Sequence, residues 1–154
     1  MKYIKVLLLI IALSVAGSIF AARPIFADLP AGEDIEKIYL SKSLLRMAGA
    51  DDINLQGVSL EDLGKDYLDN IEVVNIETRR HFRQAYDILD QYVDKNNLEV
   101  MMLKESDGEK VTIYGKPIDE TGETSVMIIV KEDEDELNIV VISGRFNAST
   151  GIDF

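Results

Sequence analysis

At 154 residues without a cysteine, the chain is long enough to bury one core and too short for two well-packed domains, and no disulfide can reinforce it. Its 28 acidic and 16 basic residues give a formal net charge of −12. So acidic a chain lacks the positive field that nucleic acid requires and is repelled by anionic lipid head groups, so neither is expected as a partner.

The first 21 residues read as a signal peptide. Lys2 and Lys5 supply the positive end, Val6 to Phe20 is apolar apart from small Ser14, Gly17 and Ser18, and small Ala21 and Ala22 follow. Cleavage after Ala21 is expected. The alternative is a retained anchor, but the apolar run falls short of the roughly 20 residues a spanning helix needs. Without a cysteine there is no lipobox, so no lipid anchor is attached by that route. The expected location is therefore exported, periplasmic or extracellular, and removal of the signal leaves a still more acidic chain.

Residues 22–34 carry Pro24, Pro30 and Gly32 and read as a flexible leader, with Ile25 and Phe26 available to dock. Residues 35–154 read as a single domain. Glu36 to Leu40 is the first predicted strand. Ser41 is placed to cap a short helix through Leu44, Leu45, Met47 and Ala48 that stops at Gly49. Ala50 to Val58 is polar; Asp51, Asp52 and Asn54 suit turns better than a calcium loop. Ser59 and Asp62 resemble a capping box for a second short helix. Ile71 to Ile76 is the second predicted strand.

Thr78 to Lys95 is the one long predicted helix. Phe82, Ala85, Tyr86, Leu89, Tyr92 and Val93 recur at helical spacing and form one apolar stripe. Asn96-Asn97 supplies the stop. Its first turns hold Arg79, Arg80 and Arg83, where positive charge opposes the macrodipole. These three are the candidate partner-binding residues; the competing reading pairs them with surplus acids, Arg83 with Asp87 among them. His81 stands alone, and one histidine without further strong ligands makes no zinc site.

Leu98 to Lys104 and Lys110 to Lys116 predict a hairpin around Asp107-Gly108, a dipeptide suited to positive φ. Met101, Met102 and Met127 fit either an adaptable surface or the core. Thr124 to Phe146 then holds two apolar runs around Lys131 to Glu136. Val126, Ile128 and Val130 share one face and Met127 and Ile129 the other; Ile139 and Val141 oppose Val140 and Ile142 in the same way. Both faces are apolar, which places this pair centrally in a sheet with helices on one side and loops, N-terminal chain or another molecule on the other. The acidic stretch between the runs reads as a solvated turn, because it lacks the spacing of an EF-hand loop. Phe146, Ile152 and Phe154 are left to tuck back or to meet a partner.

The predicted order is β-α-α-β-α-β-β-β-β, an α+β fold with a mostly antiparallel sheet and helices packed mainly on one face. Glu36 to Met47, Tyr114-Gly115-Lys116, the Val126 to Val130 strand and Ile142-Ser143-Gly144-Arg145-Phe146 resemble the exported bacterial family catalogued as domain of unknown function 4252, found mainly in Bacteroidetes. The resemblance spans about residues 34 to 147. It implies an envelope location and carries no catalytic residues to transfer. Some family members carry a lipobox cysteine; this chain has none.

No cysteine nucleophile, G-x-S-x-G elbow, H-E-x-x-H or glycine-rich phosphate loop occurs. Among 28 acids, chance alone produces carboxylate pairs, so none is nominated as catalytic. No cofactor and no metal ligand is expected. The reading is a non-catalytic protein-interaction module with a protein partner in the cell envelope; the alternative is a small-ligand carrier or a carboxylate- or metal-dependent hydrolase. A homodimer through the second face of the sheet is a variant of the first.

Overall fold

Strand side chains alternate, so a run that is apolar at every position needs cover on both faces. The computed structural model, which describes residues 23–47, 54–55, 58–59, 68–116 and 123–147, meets that need with one six-stranded antiparallel sheet. Its strands are β1 (Ile35–Ser41), β4 (Leu68–Ile76), β5 (Glu99–Ser106), β6 (Glu109–Gly115), β7 (Glu123–Glu132) and β8 (Leu137–Asn147). They lie in the order β1-β4-β8-β7-β6-β5. The β7–β8 pair is central, as its two-sided apolar pattern predicts. β2 (Asn54–Leu55) and β3 (Val58–Ser59) form a separate two-stranded ribbon.

Two helices complete the described elements. α1 (Lys42–Met47) follows β1 directly, and Leu44 N–H donates to Ser41 Oγ at 3.4 Å, the expected cap. α2 (Phe82–Asn96) is preceded by a single 3₁₀ turn, Arg79–His81. It ends where Asn97 takes the left-handed conformation, φ 52°, and Leu98 N–H reaches back to the Val93 carbonyl at 3.0 Å. Asp107 and Gly108 both have positive φ, 50° and 84°, as a tight hairpin demands.

The fold is therefore α+β with an antiparallel sheet, and the order among the described residues is β-α-β-β-β-α-β-β-β-β. Ser59 closes the small ribbon, pairing with Asn54. The rest of the second expected helix lies outside the described residues, as do Asp51, Asp52, Ile152 and Phe154.

Side chains sort onto the two faces by register. Val74, Ile76, Ile128, Val130, Ile139 and Val141 face α2, meeting Phe82, Ala85 and Leu89 of its apolar stripe. Ile71, Val73, Val111, Ile113, Met127, Ile129, Val140 and Ile142 face the other way, and Leu45 of α1 packs there. The long helix thus covers one face and the short one lies against the opposite face. Residues 23–34 share the α2 face: Phe26 and Leu29 are 0% and 1% exposed, so the stretch expected as a leader fills part of the core.

Candidate functional site

The 3₁₀ turn at the head of α2 has no acid in its first turn and no side-chain cap, so its free N–H groups lie among arginines. Asp34 offsets this from outside the helix. Its Oδ2 accepts from Arg80 Nη2 at 2.7 Å, and Arg80 Nε donates to His81 Nε2 at 2.9 Å. Arg80 and His81 line an open cleft of about 240 Å³ with Pro30, Gly32, Asp34 and Ile35. Arg79 and Arg83 are exposed, and neither makes an ion pair among the described residues, with Asp87 or any other acid. The three arginines accordingly divide: Arg80 ties the helix to the N-terminal stretch, while Arg79 and Arg83 point their charge at solvent.

That N-terminal stretch is held by two side chains that sequence reasoning missed. Glu72, 4% exposed, shares a face with Val74 and Ile76. Its Oε2 accepts from Ile25 N–H at 2.7 Å and its Oε1 from Phe26 N–H at 2.8 Å. Burial raises its carboxyl above the ordinary range; the two N–H donors and the Lys37 charge work against that rise without cancelling it. Lys37 Nζ donates to the Phe26 carbonyl at 3.1 Å and to the Leu29 carbonyl. Both contacts are to backbone, so they specify the path of the segment rather than its side chains. The available signal was a glutamate at an apolar-face position of an otherwise apolar strand, which demands a partner.

The acidic turn between β7 and β8 is built on itself. Asp133 Oδ1 accepts from Asp135 N–H at 3.0 Å and Glu136 N–H at 2.8 Å, and these donors hold the Asp133 carboxyl below its usual range. Among the described residues no cluster of His, Cys, Asp or Glu could hold a metal ion. At the root of the turn the Tyr86 hydroxyl donates to Glu132 Oε2, joining α2 to β7. Burial, that bond and nearby acids push the Tyr86 hydroxyl pKa far upward.

The largest uncovered apolar surface among the described strands lies on β5. Val100 and Leu103 are each 56% exposed and Met101 is 42% exposed, whereas Met127 is core at 3%. β5 is the last strand of the sheet and has β6 as its only neighbour among the described strands. A register shift between Val100 and Met102 leaves Met101 without a partner on β6. Met101 instead lies over Gly115, whose missing Cβ makes the room it occupies. The methionine pair was ambiguous in sequence because the bulge places its members differently: Met102 half-buried against the core, Met101 largely in solvent.

The family model described as Domain of unknown function (DUF4252) matches residues 31–150. No curated protein and no solved structure matches the chain.

Proposed function

Because the chain belongs to that family of unknown function, we propose from its own surface that it is an exported, non-catalytic protein-interaction module of the cell envelope. The observation that carries the reading is β5: an edge strand with Val100, Met101 and Leu103 in solvent. Exposed apolar edges invite pairing with another chain, and a strand retained in that state is best explained by a partner that covers it. Export rests on the basic-then-apolar pattern of Met1 to Ala22, with a periplasmic or extracellular destination. Arg79 and Arg83 provide a second, polar contact point at the head of α2, where they can meet an acidic group on the partner.

The test is affinity capture from cross-linked envelope extract, with the wild-type chain and a Leu103→Asp chain as paired baits. The expected result is a near-stoichiometric protein recovered by the wild type and lost from the variant. Equal recovery on both baits would remove β5 as the interface. Arg79→Glu combined with Arg83→Glu is expected to weaken recovery severalfold, with circular dichroism unchanged.

A further inference from the structure

The two sides of β5 differ, one apolar and one carrying charge, and that restricts what can cover it. Residues directly opposite one another in an antiparallel pair share a face. Val100 lies opposite Tyr114, which packs on the α2-side core, and Leu103 lies opposite Thr112, itself opposite core Val130. Val100 and Leu103 therefore belong to the α2 face. Lys104 lies opposite Val111, and Glu99 opposite Gly115 and, through it, Met127; both belong to the other face, with Met102. A helix laid on the sheet would cover one of these sets. A strand added beside β5 covers both and also meets the open backbone groups of the edge.

Which strand fits is decided by symmetry and charge. A two-fold axis normal to the sheet returns each face to itself, so residues that meet across it must share a face. In an unbroken strand only residues an even number apart share a face. The bulge at Met101 changes the count. Val100 and Leu103 now share a face, and so do Glu99 and Lys104. An antiparallel self-pairing centred on the bulge sets Val100 against Leu103 and Glu99 against Lys104, each contact occurring twice. Neither Glu99 nor Lys104 has an ion-pair partner among the described residues. A lysine in an edge strand ordinarily deters pairing; here a strand of the same sequence brings the acid that answers it.

We propose that two copies of this chain associate through β5, antiparallel about a two-fold axis between Met101 and Met102, and continue the sheet from one copy into the other. The proposal rests on the interaction-module reading and names its partner as a second copy. It places the interface at the edge of the sheet, not on its second face. The exported chain is still more acidic than the −12 of the full sequence, so two copies repel at long range and the association is measured near 150 mM salt, where the screening length is about 8 Å.

The experiment is sedimentation velocity over a concentration series on the purified exported chain. Wild type is expected to dimerise. Glu99→Lys alone and Lys104→Glu alone each set like charges opposite one another twice, and each is expected to weaken the dimer about tenfold or more. Both sites are exposed, and thermal melts of the single variants verify the fold. An equimolar mixture of the two variants places opposite charges at both contacts and is expected to regain the dimer as a heterodimer. A wild type that stays monomeric at millimolar concentration overturns the proposal, as does a dimer indifferent to the single changes or a mixture that stays monomeric. A monomer that captures an envelope protein through Leu103 would leave the interaction reading standing and assign β5 to that protein. A monomer that captures nothing would overturn both.

Discussion

Glu72 sits among valines and isoleucines because two backbone N–H groups, Ile25 and Phe26, meet its two oxygens. Removing the acceptor leaves those donors buried, so Glu72→Leu is expected to cost about 2 kcal/mol in urea titration. A change near zero would mean water or another group takes over. The pH dependence has a definite sign. Burial raises the Glu72 pKa above 4.5, so the folded state holds its proton more tightly than the unfolded one. The contribution to stability is greatest below 4.5 and is lost as pH rises through the folded value. Glu72→Gln has no such component. Wild-type stability minus that of Glu72→Gln should therefore fall as pH rises above 4.5; a flat or rising difference would defeat the assignment. Asn75 and Asn138 are the opposite case. They face each other across β4 and β8, yet Asn75 Oδ1 and Asn138 Nδ2 are buried without partners. Replacing both by valine removes two unsatisfied polar groups and suits the strands, and is expected to gain about 1 kcal/mol in the same titration.

At the scale of elements, legibility followed the range of the interactions. The apolar stripe of α2 shows in sequence because helical period is local, and Phe82, Ala85 and Leu89 are the buried residues it names. The Asp107-Gly108 turn shows because positive φ selects few residue types. The N-terminal stretch does not show. Pro24, Pro30 and Gly32 read as loop punctuation, and what makes the stretch part of the core lies far along the chain, at Glu72 and under Phe26. Strand order was likewise illegible, since β4 pairs with β8 across more than half the domain. The β5 surface was half legible: its methionines were visible, its bulge and edge position were not. If residues 23–34 belong to the core, Phe26→Ala should cost about 3 kcal/mol or more, as truncation of a fully buried aromatic does. A loss below about 0.5 kcal/mol would make the segment dispensable to folding.

For the whole molecule the deciding balance is between paired and surplus charge. The described ion pairs, Arg23–Asp28, Lys42–Asp69, Arg80–Asp34, Lys110–Glu105 and Lys131–Glu109, are all at least partly solvated. Such pairs contribute about 0–1 kcal/mol each, and salt weakens them. Against them stands the net charge of −12, whose self-repulsion favours expansion. Raising salt from about 10 mM to about 150 mM shortens the screening length from about 30 Å to about 8 Å. Contacts within 4 Å lose little by that, whereas repulsion between acids spread over α2, the β7–β8 turn and the β5–β6 hairpin is largely removed. The chain should therefore become more stable with salt, by about 2–4 °C in thermal midpoint for each kcal/mol relieved. The measurement belongs on the Leu103→Asp chain, so that association through β5 adds nothing to the shift. A midpoint that falls with salt would show that the few ion pairs outweigh the surplus acid, and Arg80–Asp34, which joins α2 to the N-terminal stretch, would be the first pair to remove.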